Sequence, residues 1–506
     1  MEFILSRIVS LTLFTPLIGM IVVGLIPSDQ KNALRWTAFL ASLVPAGLSI
    51  ALWFAYAQGS AGISFEETLV WYAPIGAAYH VGVDGMSMPM ILLTGILTPL
   101  AILASFSVED RVKPYMMLFL LLETGMFGVF VALDLLLFFL FWEIGLVPMY
   151  FLINQWGGKD RRAASFKFFV YTMAGSLGLL LSIQLIGLTT GTFDIVKLVT
   201  VWPKFNKEVL TFLPIETIKT IAFFAFTLAF AIKVPMWPFH TWLPDAHTEA
   251  PTAGSMLLAG VLLKLGAYGF LRLVLPLYPV EAKMFAGALA FLAVAAIIFG
   301  AFGSFGQTDF KRLVAYSSVN HMGFVVLGVA AAAVAAGTNE AHIAMNGAVL
   351  QMFNHGLSAA GMFFLVGVIY ERTHTRNLEE FGGLFTLVPV YGGILIFMSM
   401  ASLGLPGLNG FVSEFMVVRG AFPVLKVYTA VSMLGLLFTG AYILKGIMKV
   451  LHGPINEHWS HGEHKLTEIN TREILVALPL MALILVIGLW PAWLVGVINE
   501  TVARLF

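Results

Sequence analysis

The chain has 506 residues, of which 59% are hydrophobic and 11% are charged, and its formal net charge is zero. Soluble globular domains carry about 25% charged residues, so the composition predicts an all-α polytopic membrane protein, and the neutral charge gives no indication of nucleic-acid binding. The chain contains no cysteine, which excludes iron–sulfur clusters held by thiolates, disulfides and thiol catalysis within it.

Fourteen apolar segments approach or exceed the roughly 20 residues that a helix needs to cross a bilayer. They lie near residues 4–26, 33–57, 83–106, 114–132, 135–153, 164–189, 217–239, 252–276, 281–304, 309–335, 340–370, 386–418, 424–451 and 473–498. We interpret the chain as one integral membrane domain with peripheral helices over 1–112, a first repeat over 113–277, a second repeat over 278–452, and an inner loop with the last helix over 453–506. Between the second and third segments, aromatic and β-branched residues over 63–83 predict a short hairpin on the membrane surface.

Two of these segments are interrupted, the seventh by KVPMWP at 233–238 and the twelfth by LGLPGLNG at 403–410. Proline breaks a helix because it lacks a backbone donor and its ring clashes with the preceding turn. The interruptions are five helices apart, and a unit with an odd number of helices returns in the opposite orientation. Spans 4–8 and 9–13 are therefore predicted to be inverted repeats, with broken helices at matching positions. The alternative is that proline and glycine are simply common in membrane helices.

The loop charges predict the orientation of the chain. Fifteen of the 28 lysines and arginines fall in loops on one side, ten on the other and three within spans. Because cytoplasmic loops carry an excess of positive residues, both termini are predicted on the periplasmic side of a bacterial inner membrane.

Ionisable residues at membrane depth point to a functional centre in the first half. Lys233 follows the run Ile221–Ile232, which has only twelve residues, and Lys264 lies midway along the apolar run Ala253–Leu275. A lysine at such depth costs roughly 2.5–3.5 kcal/mol on insertion scales and usually faces a polar interior. Glu143, in the middle of the fifth span, is the predicted partner of Lys233, because a buried carboxylate stays ionised only near a cation. The alternatives are a purely structural ion pair, and a Lys264 that reaches back to the interface.

The second half contributes a different set. His321 and His355 lie within the tenth and eleventh spans, and Glu414 follows the break in the twelfth. Histidine titrates nearest to physiological pH, so two histidines in neighbouring spans favour proton transfer. The alternative is that each simply joins two helices by a hydrogen bond. Lys445 lies near the end of its span and is assigned to the inner interface.

Two clusters of possible metal ligands lack the spacing of a zinc motif. We interpret the first as a polar end of the broken helix and the second as a solvated loop, and we expect no metal site. The clusters are His240, Asp245, His247 and Glu249, and then His452, His458, His461 and His464.

Over residues 80–500 the chain closely resembles the antiporter-like membrane subunits of respiratory complex I, the NADH:quinone oxidoreductase. The segment with the closest likeness is KVPMWPFHTWLPDAHTEAPTAGSMLLAGVLLKLGAYG, and SSVNHMGF, MFNHGLSAAGMFF and LPGLNGFVSEF are also similar. HTEAPTAGSMLLAG, with the lysine in LLKLGAYG, resembles the M-type (chain 4) subunits rather than the L-type and N-type relatives.

The resemblance implies a proton-translocating subunit that works with NADH oxidation and quinone reduction in partner subunits. It implies that this chain binds no cofactor, that NADH, FMN, iron–sulfur clusters and quinone belong to partner subunits, and that L-type and N-type subunits are neighbours. The implied proton path has an input pair, a central lysine, a polar connection and an output residue: Glu143 with Lys233, then Lys264, then His321 with His355, then Glu414. There are two kinds of alternative. The chain could be a subunit of a sodium/proton antiporter or of a membrane-bound hydrogenase, or it could be a structural membrane spacer.

Overall fold

The computed structural model describes residues 5–57, 62–207, 209, 213–461 and 465–505. Within them, thirteen helices are long and apolar enough to cross a membrane. These are Ile8–Leu25, Lys31–Ala57, Ser87–Ser107, Val112–Val131, Leu135–Trp156, Arg161–Thr190, Ile215–Lys233, Thr252–Leu277, Ala286–Phe305, Phe310–Val334, Asn339–Thr373, Lys426–Leu451 and Thr471–Leu489.

The twelfth predicted span completes the set as two shorter helices. Pro389–Leu403 and Asn409–Ala421, of 15 and 13 residues, are separated by the predicted break. The seventh span is also broken where predicted, because Ile215–Lys233 ends at the lysine and the chain resumes as Trp242–Glu249. Counting the broken twelfth helix, the described residues contain fourteen spans, as predicted, and we number them in chain order.

The predicted end of the last span is wrong. The fourteenth helix, Thr471–Leu489, stops before Pro491, and Ala492–Leu505 forms a separate helix. With 14 residues this second helix is shorter than the roughly 20 needed to cross. It is held at the end of the bundle, where Thr501 Oγ1 accepts a hydrogen bond of 2.8 Å from Gly85 N. The apolar run at 473–498 therefore combines a span with a surface helix.

The predicted hairpin is confirmed and identifies one face of the bundle. Strands β1, Ser64–Tyr72, and β2, Ala77–Val83, pair antiparallel. Val81 also forms a bridge with Ala132, directly after the end of the fourth span. We call this end of the bundle the hairpin face and the other end the opposite face.

The buried fraction of the spans differs strongly across the bundle. The eighth and eleventh spans are completely buried over their apolar windows and the tenth is 94% buried, whereas the first, second, thirteenth and fourteenth are only 33–39% buried. Polar and charged side chains within the apolar windows of these three central spans are therefore almost all enclosed by protein.

Close contacts between neighbouring spans recur with an offset of 175 residues. A Cβ added to Gly125 would lie 2.7 Å from Gly145 N, where the fourth and fifth spans meet. A Cβ added to Gly300 would lie 2.6 Å from Asn320 N, where the ninth and tenth spans meet. Glycine at both positions lets the helix axes approach closely, as small residues do in membrane interfaces.

The starts of the fifth and tenth spans match in the same way. Asp134 and Asp309, also 175 residues apart, cap these helices with their side chains. Asp134 bridges Asp194 on the hairpin face, whereas Asp309 bridges Asn377 on the opposite face. Equivalent local structures on opposite faces are what the predicted inverted repeats require.

Candidate functional site

Lys233 ends the first half of the broken seventh helix and is almost completely buried. Its Nζ lies 5.1 Å from the centre of the Trp142 ring and 6.0 Å from that of Phe168. Within the part of the chain that the structure describes, Nζ has no hydrogen bond or ion pair. The ammonium therefore rests against aromatic faces, whose quadrupole attracts a cation.

Glu143, the predicted partner of Lys233, does not contact it. No ion pair within 4 Å joins them among the described residues, and Glu143 Oε1 is buried without a hydrogen-bond partner there. The carboxylate is near enough to attract the lysine electrostatically. The structure thus shows the two charges separated, and their pairing stays a prediction.

The break of the seventh helix is closed by its neighbours. Trp242, at the start of the second half, donates from Nε1 to the free carbonyl of Ile232 at 2.9 Å. Non-helical backbone at membrane depth needs such partners because no water is present to supply them. On the other side, a Cβ added to Gly266 would lie 2.9 Å from Lys233 Cβ, so the eighth span approaches the break two residues beyond Lys264.

Lys264 is fully enclosed at the centre of the eighth span. Two π-helical turns, Leu258–Leu262 and Phe270–Val274, flank it. Such widened turns loosen the regular backbone pairing and are frequent at functional sites. Nζ donates to the carbonyl oxygen of Ala259 and is hydrogen-bonded to Nδ1 of His355 at 2.8 Å. The alternative in which Lys264 reaches the interface is wrong, because its side chain is held inside the bundle.

The bond between Lys264 and His355 couples the protonation states of the two groups. When Lys264 carries an ammonium group, which only donates, Nδ1 of His355 accepts and its neutral ring carries the proton on Nε2. Nε2 is buried and has no hydrogen-bond partner among the described residues. The rings of His355 and His321 lie 5.5 Å apart between centroids, at 37°. Lys264, His355 and His321 thus follow one another in a row of buried side chains. The step from His355 to His321 is not bridged by a direct hydrogen bond.

His321 connects to Glu414 at the far end of the row. Its Nδ1 lies 2.8 Å from Glu414 Oε1, and its Nε2 lies 3.1 Å from the hydroxyl of Tyr442. Gln351 Nε2 also donates to Glu414 Oε1, at 3.0 Å. Both members of the pair are buried, so the contact brings two titratable groups together away from solvent.

The eleventh span holds the second half of the broken twelfth helix in place. Asn354 Nδ2 donates to Asn409 O at 2.7 Å, and Asn409 Nδ2 returns a bond to Asn354 O at 3.2 Å. Ser413 donates to Gln351 Oε1 at 2.5 Å. These bonds fix the helix turn that carries Glu414 against the histidines.

Residues 132–445 match the protein family described as the transmembrane region of NADH:quinone oxidoreductase and Mrp antiporters. The chain belongs to this family. The matched region includes both broken helices and every predicted path residue, from Glu143 to Glu414.

The similarity to individual proteins extends over the whole chain. Subunit M of the NADH-quinone oxidoreductase of Rhodobacter capsulatus is 40% identical over 99% of this chain and 96% of its own length. Chain 4 of the NAD(P)H-quinone oxidoreductase of a Nostoc species is 40% identical over 94% of this chain and 87% of its own. Respiratory complex I of Thermus thermophilus matches with a TM-score of 0.85 and 28% identity, over 98% of this chain and 99% of that one.

A likeness to the Mrp complex of a Dietzia species shows the fold alone. That match has a TM-score of 0.82 over 99% of this chain and 97% of the other chain, at 20% identity.

Two buried titratable groups were given no place in the proton path by the sequence interpretation. His247, in the second half of the broken seventh helix, stacks on Phe363 with centroids 4.2 Å apart, and both its ring nitrogens lack partners among the described residues. It is close enough to Lys264 to interact electrostatically. Glu123 of the fourth span is fully buried, and within the described residues neither of its carboxylate oxygens has a partner. The test applied to Glu143, a carboxylate within an apolar run, would have identified Glu123 too.

The carboxylates considered as metal ligands are engaged elsewhere. Asp245 lies 2.7 Å from Lys167 Nζ and 3.0 Å from Arg312 Nη1. Glu249 Oε2 accepts a bond of 2.9 Å from Asp160 N. In the second cluster, His464 lies outside the described residues.

Proposed function

We propose that the chain is the M-type membrane subunit of an NADH:quinone oxidoreductase and that it translocates protons. The observation that carries the proposal is the buried row from Lys264 through His355 and His321 to Glu414, with contacts of 2.8 Å at both ends. Relatives about 40% identical over almost the entire chain are named as subunits of this enzyme, which supports the assignment to that complex.

The proposed path runs from the broken seventh helix to the broken twelfth. When Glu143 moves toward or away from Lys233, the electrostatic free energy of the lysine changes. Two charges 4 Å apart interact with about 4 kcal/mol at an effective dielectric constant of 20. That change passes to Lys264, which lies in the eighth span close to the break of the seventh. From Lys264 a proton moves along the histidines to Glu414.

We propose that the redox chemistry takes place in partner subunits. The sequence has no cysteine to hold an iron–sulfur cluster, and the site is built from proton-exchanging side chains. NADH, FMN, iron–sulfur clusters and quinone would then be bound elsewhere in the complex, and this chain would contribute proton movement alone.

The proposed location is the bacterial inner membrane, with both termini on the periplasmic side. The lysines and arginines in the loops support this orientation, since the opposite face carries the larger share. The first, second, sixth, thirteenth and fourteenth spans are only 33–39% buried, and they offer lateral surfaces to the L-type and N-type neighbours and to lipid.

The decisive experiment replaces Lys264 by methionine in the assembled complex. Methionine keeps the length and apolar volume of the side chain but cannot exchange a proton. We expect the ratio of protons pumped to electrons transferred to fall, with the complex still assembled. Lys426→Met is the matched control, because Lys426 is exposed at the start of the thirteenth span. Pumping at the wild-type ratio in Lys264→Met would refute the path.

Variants of the input pair test the first step separately. Lys233→Ala and Glu143→Ala should each abolish pumping while leaving assembly intact, because each removes one of two interacting charges. Wild-type pumping in both variants would exclude this role for the pair, even if Lys264 proved essential.

The same preparations distinguish the alternatives. A sodium/proton antiporter subunit would make ion movement depend on sodium concentration at constant proton gradient. A structural spacer would leave proton stoichiometry unchanged in every variant of the row. Purification of the chain in a complex without iron–sulfur proteins would exclude the quinone-reducing assembly.

A further inference from the structure

A cavity of about 620 Å³ opens on the opposite face, away from the proton row. The ninth and thirteenth spans form its sides, and the loop between the eleventh and twelfth spans closes its end. It lies at the inner ends of these helices, where a surrounding bilayer passes from acyl chains to head groups.

One side of the cavity is apolar and faces outward. Phe305 ends the ninth span, and Leu444 and Met448 lie one turn apart on the thirteenth. These three side chains, which we call the apolar wall, are 45%, 51% and 64% exposed. An exposed apolar surface at membrane depth is a surface for acyl chains or for another apolar helix.

The same cavity carries a row of basic groups, which we call the basic rim. Lys445 and Lys449 lie four residues apart on one face of the thirteenth span, and His452 follows directly after its end. Residues spaced by three or four lie on the same face of a helix. The basic groups therefore line the cavity at its membrane-surface end, directly beside the apolar wall.

Local contacts hold Lys445 in this position without using all of its donors. Its Nζ donates to the carbonyls of Phe305 and Gln307, at 2.6 and 2.7 Å. An ammonium group has three donors, so one remains. These carbonyls are neutral, and the positive charge of Lys445 is not cancelled by them.

The charge of the rim is positive overall. Lys449 pairs with Glu379 at 2.8 Å, and both side chains are substantially exposed. The two lysines face one carboxylate, which leaves a net charge of about +1 from these three groups.

We propose that this cavity binds one anionic phospholipid. Its phosphate would lie on the basic rim, and one acyl chain would run along the apolar wall. Basic pockets between membrane helices on the cytoplasmic side bind anionic head groups, and the opposite face is the one that the loop charges predict to be cytoplasmic. A free phosphate would leave the wall uncovered, and a zwitterionic lipid would gain little from the rim.

Photocrosslinking with the intact purified complex tests the proposal. The complex is delipidated, loaded with phosphatidylglycerol that carries a photoreactive acyl chain, irradiated, and digested for mass spectrometry. We expect labelling of the apolar wall with phosphatidylglycerol and much less with phosphatidylcholine that carries the same chain. Lys449→Gln should reduce labelling about fivefold, the change expected for one basic residue near an anionic head group.

A variant with the opposite sign sharpens the test. Glu379→Gln removes the carboxylate that competes for Lys449, so labelling should increase. Lys426→Gln is the matched control, since it removes a lysine from the other end of the same helix and should change nothing. Lys445 is left intact because its bonds also hold the end of the ninth span.

Three outcomes would overturn the proposal. Equal labelling by phosphatidylcholine would mean that the rim does not recognise charge. Unchanged labelling in both Lys449→Gln and Glu379→Gln would also mean that the basic rim does not recognise the charge of the head group. Protection of the wall by a neighbouring subunit, found as a protein–protein crosslink to Met448, would show that the cavity is a subunit interface.

Discussion

Replacing Glu414 by glutamine should stop proton transfer at the end of the row. In the structure His321 Nδ1 and Glu414 Oε1 are 2.8 Å apart in a buried site. Glutamine has nearly the same shape and can still accept a hydrogen bond from His321, but it cannot carry a negative charge or a proton. The substitution therefore removes the charge and leaves the geometry.

The size of the effect follows from the contact. Opposite unit charges 4 Å apart attract with about 4 kcal/mol at an effective dielectric constant of 20. A neutral hydrogen bond retains about 1 kcal/mol of net stabilisation. The protonated imidazole of His321 thus loses about 3 kcal/mol, which corresponds to about a 100-fold lower population of the state that passes the proton on.

The assay measures NADH oxidation and proton uptake together in proteoliposomes that contain the purified complex. We expect the proton-to-electron ratio to fall in Glu414→Gln, with the amount of assembled complex unchanged. Glu414→Asp keeps the charge but shortens the side chain by one methylene, so its proton-to-electron ratio should lie between those of the wild type and Glu414→Gln. A wild-type ratio in Glu414→Gln would refute the reasoning, because the charge would then be dispensable.

Three further predictions concern the scaffold around the row. Gly125→Ala should destabilise the complex by about 1–3 kcal/mol through overpacking, seen as a lower melting temperature, whereas Gly47→Ala, with open space at its Cβ position, should not. Arg272→Met should lower the free energy of unfolding by about 3–5 kcal/mol, because it leaves the buried Asp84 as an unpaired charge; the two side chains are 2.5 Å apart in the native structure. Adding Asp84→Asn should restore part of the thermal stability, and failure to do so would argue against the pair. Asp309→Ala removes the cap of the tenth span, and the free energy of unfolding should fall by about 1 kcal/mol, seen as a lower denaturation midpoint. An unchanged midpoint would show that water replaces the cap.

The main features of the fold could be predicted because membrane helices follow strong local rules. A run of about 20 apolar residues can satisfy its backbone only as a helix, so the number of spans and the two proline or glycine breaks were recognisable. The end of the fourteenth span was not, because Trp490 and Pro491 interrupt an apolar run that continues into a surface helix. Hydrophobicity alone does not distinguish a helix across the membrane from one that packs along its end.

The site was predictable in its members but not in its connections. Lys264 and His355 stood out as polar groups in apolar runs, but their contact spans 91 residues of sequence, and no local pattern encodes it. Tyr442 was missed because an aromatic residue in a membrane helix is unremarkable until its hydroxyl is found beside His321. Charge alone also did not indicate that the Lys233 ammonium lies over the rings of Trp142 and Phe168 and makes no ion pair within 4 Å of Glu143.

The close glycine contact between the fourth and fifth spans has a consequence for biosynthesis. Gly125 and Gly145 are only 20 residues apart in sequence, so this helical hairpin can close as soon as its second helix has entered the membrane. The bond between Lys264 and His355 has to wait until the eleventh span has been made, and the one between His321 and Glu414 until the twelfth has. A nascent chain can therefore form the contact between its fourth and fifth spans before the groups from Lys264 to Glu414 are connected.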